Sequence, residues 1–175
     1  MNPFKKLIVS LALIASFTAS HAQDIILKEG DTAPNFTLTS DAGNLVKLSD
    51  FKGKNVVLYF YPKDFTGGCT KEACGIRDNL PQITALNTVV LGVSTDGVEA
   101  HQGFKAKENL NFILLADTEH KVSDQYSGVR LSEGSYYANR VTFIINKKGI
   151  IKKIFPKVNP TGHAEEILAV LKEMK

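Results

Sequence analysis

The sequence predicts a single α/β domain in which a mixed β-sheet carries helices on both faces. Three observations support this. Residues 56–61 (VVLYFY) and Thr88–Ser94 (TVVLGVS) are nearly continuous apolar runs, the pattern of strands buried on both faces. Segments with helical spacing follow each of them. Short hairpin patterns stand at either end of the domain. A length of 175 residues, 43% hydrophobic and 22% charged, fits one ordinary globular domain and excludes disordered, collagen-like and coiled-coil classes.

The elements follow in order. Asn35-Phe36-Thr37-Leu38 and Leu45-Val46-Lys47-Leu48 flank the turn residues Ser40-Asp41-Ala42-Gly43-Asn44, which gives an N-terminal hairpin. The first central strand, 56–61, leads into a helix whose apolar face is Ala73, Ile76, Leu80 and Ile83. Pro81 interrupts that pattern and is expected to kink or end the helix near Leu80. The second central strand, Thr88–Ser94, is followed by a polar helix over 98–109, a third strand over 112–115 and a short helix over 120–126. Residues 141–145 (VTFII) and 150–155 form a second hairpin. Its lysines (Lys147, Lys148, Lys152, Lys153 and Lys157) read as a solvated, lysine-protected sheet edge. The last helix places Ile167, Leu168, Leu171 and Met174 on one face. Glu165 and Glu166 stand at its start and Lys172 and Lys175 at its end, as the helix dipole favours.

Residues 1–22 differ in kind from the rest. Lys5 and Lys6 precede the eleven-residue apolar run 7–17 (LIVSLALIASF), and Ser20-His21-Ala22 places small residues where a signal peptidase reads. This is the order of a secretory leader, and eleven residues are too few to span a bilayer. Cleavage is expected after Ala22, leaving 23–175 as the exported domain and the periplasm as its compartment. The leader carries two lysines and no acid, so 19 Lys and Arg face 18 Asp and Glu in the remainder, a net charge of +1. Such a domain gains no general attraction to nucleic acid and no stable hold on an anionic membrane.

The chemistry concentrates in Pro62-Lys63-Asp64-Phe65-Thr66-Gly67-Gly68-Cys69-Thr70-Lys71-Glu72-Ala73-Cys74, where a buried strand ends and a helix begins. Reactive groups favour that edge of an α/β sheet. Cys69 falls in the first helical turn, where unpaired N–H groups and the positive dipole end favour a thiolate. Gly67 and Gly68 let backbone approach a small ligand closely. Thr66 fits an N-cap, and its hydroxyl is also placed to bond a thiolate or a bound oxygen. If Cys69 and Cys74 lie on one helix, their Cα atoms stand roughly 8.7 Å apart. A disulfide needs less than about 7 Å, so bridging them requires the first turns to unwind. A static disulfide in a non-helical loop, two inert buried thiols and a metal site are the competing readings. The Thr66-Gly67-Gly68 context favours redox chemistry.

Pro62-x-x-x-Thr66-x-x-Cys69 resembles the active-site motif of the peroxiredoxins, thiol peroxidases on a thioredoxin-like fold. Residues 30–36 (GDTAPNF), 59–64 (YFYPKD) and 140–145 (RVTFII) resemble the same family, and Cys74-Gly75-Ile76-Arg77-Asp78 is similar to its bacterioferritin-comigratory (Q-type) subfamily. The resemblance runs from about Glu29 to the C-terminus. It implies a peroxidatic Cys69, a resolving Cys74 that forms an intramolecular disulfide, and Thr66 and Arg140 as holders of the thiolate and of the departing oxygen. It also implies a pocket-shaping Pro62, a peroxide substrate and an external thioredoxin-like dithiol protein as reductant. Neither cofactor nor metal is required, and a bridge within one chain favours a monomer. Glu72 matches the subfamily pattern, and a solvated helix face explains it equally well. Many relatives carry Pro where this chain has Gly67, which implies a more mobile loop.

Two other classes share such a fold. A thiol–disulfide exchange protein would need Cys-x-x-Cys, usually beside Trp, whereas four residues separate these cysteines and the chain has no Trp. A copper-delivery protein would add a distant His to two thiolates. His163 is the first candidate ligand, then His101 and His120, although each reads better as an exposed helix-end residue.

Overall fold

The computed structural model describes residues 26–174, so the expected leader lies outside the described residues. The main sheet holds seven strands: β1 (Thr37–Ser40), β2 (Leu45–Lys47), β3 (Asn55–Phe60), β4 (Thr88–Ser94), β5 (Ile113–Ala116), β8 (Val141–Ile145) and β9 (Ile151–Phe155). Their spatial order is β2-β1-β5-β4-β3-β8-β9. β3, β4 and β5 run parallel at the centre, and the remaining pairs are antiparallel. The mixed sheet with an N-terminal hairpin is the predicted architecture.

β3 lies between β4 and β8, and all six of its residues are buried. Its side chains alternate between two cores, as the two-residue period of a strand requires. Val57 and Tyr59, with Tyr61 just past the strand, face one core with α1 (Gly67–Thr84), α2 (Val98–Glu108) and α4 (His163–Glu173). Val56, Leu58 and Phe60 face the other with α3 (Lys121–Tyr126), through Val122 and Tyr126, and with the N-terminal segment. Gly92 of β4 lies opposite Tyr59 because a β-carbon there would stand 2.8 Å from the tyrosine ring. Among the described residues, no helix is long and apolar enough to cross a membrane.

Two features depart from expectation. Pro81 does not end α1: the helix runs on to Thr84. A proline there leaves the Arg77 carbonyl without its helical donor, and Asn111 Nδ2 donates to that carbonyl at 3.4 Å instead. A second, two-stranded sheet, β6 (Val129–Ser132) with β7 (Ser135–Ala138), has no counterpart in the sequence reading. Most of its residues are exposed, so no apolar alternation marks it. The lysine-rich hairpin is as expected. β9 is an edge strand, and Lys153 pairs with Glu29 at 3.3 Å.

Candidate active site

The site forms where β3 hands over to α1. After Tyr61, whose N–H donates to the Val93 carbonyl, the half-buried Pro62 opens a tight loop. Asp64 is buried there and held from three sides. Tyr61 Oη donates to its Oδ1 at 2.8 Å, His101 Nδ1 lies 2.8 Å from its Oδ2, and its backbone N–H donates to Asp96 Oδ2 at 2.8 Å. Phe65 follows with φ of 61°, left-handed for a bulky residue. Its ring stacks edge-on against Phe104 of α2, with centroids 5.3 Å apart.

Thr66 occupies the N-cap position in extended backbone, and its carbonyl accepts from the Thr70 N–H. Its hydroxyl neither caps the helix nor reaches the thiol; it donates to the Lys63 carbonyl at 3.0 Å. The hydroxyl therefore closes the loop on itself in place of a side-chain capping bond. Cys69 is the third helical residue, buried with 1% exposure. Arg140 Nη2 donates to its Sγ at 3.0 Å. That contact spans 71 residues, and sheet topology explains it. β8 lies antiparallel to β3 with Val141 opposite Phe60, which returns Arg140 to the strand end from which the loop departs. Gly68 has no side chain to fill that space: a β-carbon would stand 3.4 Å from Arg140 Nη2. Gly67, by contrast, faces open space.

Glu72 sits three residues after Cys69, on the same helix face. It is fully buried and pairs with Arg140 Nη1. The solvated-face reading of Glu72 is therefore overturned. Burial raises its carboxyl to about 7, against the opposing pull of the Arg140 guanidinium. Its second oxygen, Oε1, is buried without a hydrogen-bond partner. The guanidinium thus bridges a thiol and a carboxylate, its position fixed from both sides.

Cys74 lies five residues on in the same unbroken helix, half-buried, and both cysteines are free thiols. Helix geometry puts their Cα atoms roughly 8.7 Å apart, beyond the span of a disulfide. The Cys74 thiol donates to Glu108 Oε2 at 3.8 Å. Burial pushes that thiol upward from its ordinary range, and the Glu108 carboxylate adds to the effect.

The histidines are not arranged as expected. His101 and His163 are buried rather than exposed. His163 Nε2 lies 2.8 Å from Thr142 Oγ1 and its Nδ1 3.0 Å from Glu166, so its polar atoms serve the sheet and α4, not the cysteines. Among the described residues, no cluster of three or more His, Cys, Asp and Glu has a metal-binding arrangement. The sequence reading gave no individual role to Asp64 or Glu108 and considered His101 only as a metal ligand. Asp64 and His101 are buried and Glu108 is half-buried, placements that tertiary packing sets and no local pattern shows.

A buried thiol at a helix N-terminus, fixed by an arginine and followed by a second thiol on the same helix, defines a thiol-based peroxidase site. Residues 29–154 match the AhpC/TSA family. The chain is 46% identical over 149 residues to peroxiredoxin Bcp of Bacillus subtilis, covering 83% of this chain and 95% of that protein. It is 42% identical over 151 residues to peroxiredoxin Bcp of Escherichia coli, covering 84% and 97%. Its fold is similar to a mutant PrxQ from Xylella fastidiosa, with a TM-score of 0.80, 33% identity and coverage of 85% and 97%. It is also similar to the Xanthomonas campestris bacterioferritin comigratory protein, studied for alkyl peroxide reduction, with a TM-score of 0.77, 30% identity and coverage of 86% and 99%. The chain belongs to the AhpC/TSA family, as a thiol-dependent peroxidase of the Bcp (Q-type) peroxiredoxins.

Proposed function

We propose that this peroxidase runs a two-cysteine cycle within one chain. Cys69 sulfur attacks the terminal oxygen of a peroxide. The S–O bond forms, the O–O bond breaks, and the departing alkoxide or hydroxide takes a proton to leave as alcohol or water. Arg140, 3.0 Å from the sulfur, holds the reacting thiolate and stabilises charge on the leaving oxygen. Glu72 keeps that guanidinium in place. Pro62 shapes the entrance, and Thr66 sets the loop by closing it onto Lys63. The resulting Cys69 sulfenic acid is then attacked by Cys74 after the first turns of α1 unwind, giving a disulfide and water. A dithiol protein of thioredoxin type reduces the disulfide.

The observation that carries this reading is the Arg140–Cys69 contact. Hydrogen peroxide and organic hydroperoxides are the proposed substrates, the latter supported by the X. campestris relative. A bridge closed within one chain needs no partner copy, which supports a monomer. We also infer export: residues 1–22 read as a leader, and 23–175 would act in the periplasm. An N-terminus at Gln23 in protein recovered from the periplasmic fraction is the expected result; an intact Met1 in cytoplasmic protein refutes export.

The test of the cycle is rapid mixing of reduced protein with one equivalent of hydrogen peroxide, read by free thiol and intact mass. Wild type loses both thiols quickly, and only Cys74→Ser accumulates a sulfenic acid. Thiol loss no faster than free cysteine, and indifferent to which cysteine is kept, overturns the mechanism.

A further inference from the structure

The second cysteine is tied down. Cys74 donates to the carboxylate of Glu108, the last residue of α2. One turn further along α1, Arg77 Nη1 donates to the backbone carbonyl of the same Glu108, one of the carbonyls a helix end leaves without an internal partner. Asn111 Nδ2 then donates back to the Arg77 carbonyl, the group that Pro81 deprives of its helical donor. Three hydrogen bonds thus join Glu108, at the end of α2, and Asn111, just beyond it, to residues 74–77. These residues border the stretch that must unwind before Cys69 and Cys74 can meet.

We propose that Glu108 and Asn111 form a latch on α1: positioning residues that hold Cys74 at rest and set the rate of disulfide formation without affecting the peroxide step. This rests on the two-cysteine reading above. The step they control is the attack of Cys74 sulfur on the Cys69 sulfenic sulfur. An S–S bond forms, the S–OH bond breaks, and hydroxide leaves with the Cys74 proton as water. While latched, Cys74 is both too far from Cys69 and kept as the thiol, the unreactive form. Release brings it within reach and into water. A firm latch therefore lengthens the life of the sulfenic acid and leaves it open to a second peroxide and oxidation to the sulfinic acid.

The test uses the reduced protein as wild type, Glu108→Ala, Glu108→Gln, Asn111→Ala and Glu99→Ala. Glu99 is exposed at the other end of α2 and makes none of these bonds. Samples are mixed with peroxide, quenched with a thiol-blocking reagent and weighed intact, which separates loss of the Cys69 thiol from appearance of the disulfide. In Glu108→Ala we expect disulfide formation about fivefold faster, with thiol loss within twofold of wild type and less sulfinic acid in excess peroxide. Glu108→Gln, which keeps an acceptor, stays within twofold of wild type in both steps. Asn111→Ala also accelerates the second step, and Glu99→Ala changes neither. Wild-type disulfide rates in both Glu108→Ala and Asn111→Ala overturn the latch. So does an equal acceleration in Glu99→Ala, which would mark general softening of α2. Wild type that forms no disulfide at all overturns the two-cysteine cycle itself, and the latch with it.

Discussion

Replacing Arg140 by Met tests whether the arginine acts on chemistry, on stability or on both. Glu72 is fully buried, and Arg140 Nη1 is its ion-pair partner. Removing the guanidinium leaves the burial of that carboxyl unopposed, so it takes up a proton in place of its partner and the stability the ion pair gave is lost. The loss depends on pH, because wild-type Glu72 titrates at about 7. Above pH 7 the wild-type carboxyl ionises against Arg140 while the variant's stays protonated, so the variant falls behind by about 1.4 kcal/mol per pH unit; at pH 6 both are largely protonated and little of this difference remains. Glu72→Gln with Arg140→Met removes both charges together, so most of the stability returns at pH 8. The rate does not return. Loss of a donor aimed at developing charge lowers rates about 10²- to 10³-fold, with or without Glu72. Urea unfolding at pH 8 and pH 6 measures the first quantity, and rapid-mixing consumption of the Cys69 thiol the second. A double variant that regains the wild-type rate refutes the role of Arg140 in chemistry. Arg140→Met as stable as wild type at pH 8 refutes the buried pair.

Three further outcomes are expected. Gly67→Pro should stabilise the fold by about 0.4–1 kcal/mol. Gly67 is the first helical residue, it faces open space, and Thr66 already has the extended φ and ψ (−85° and 146°) that a following proline requires; a lower midpoint in thermal unfolding contradicts this. Gly92→Ala should destabilise by about 1–3 kcal/mol, because the new methyl meets the Tyr59 ring at 2.8 Å in the centre of the sheet; an unchanged urea midpoint refutes that packing. Burial holds His163 below its ordinary range, so the unfolded chain binds the extra proton and stability is lost as pH falls below about 6.5. Glu72, with its raised carboxyl, acts oppositely, losing stability as pH rises from 4.5 to about 7. The acid-side slope is therefore read as the difference between wild type and His163→Gln, and identical slopes refute it.

The central strands were legible because their apolar runs are continuous, and the loop-to-helix start was legible because Thr66, two glycines and Cys69 stand together. The roles of Arg140 and Glu72 were not fixed locally. Arg140 reaches Cys69 only because β8 lies beside β3, a pairing that no window of sequence contains. Glu72 in a stretch of polar residues looks solvated, and only the returning arginine explains its burial. Pro81 misled in the opposite direction. The rule that proline ends a helix assumes the freed carbonyl has no other donor, and Asn111 supplies one.

α2 shows why a helix can matter most where its sequence pattern is weakest. Its residues read as a polar helix with no apolar stripe. Yet His101, Phe104 and Glu108, at spacings of three and four, fall on one face. That face meets Asp64 in the loop, the Phe65 ring and the Cys74 thiol in turn. An apolar stripe marks a helix that packs on hydrocarbon. This helix packs on a carboxylate, an aromatic ring and a sulfur, so its contact face is made of an imidazole, a phenyl and a carboxylate. The weak hydrophobic pattern follows from the chemistry of what α2 grips, and that grip extends along the reactive segment from the loop before Cys69 to Cys74.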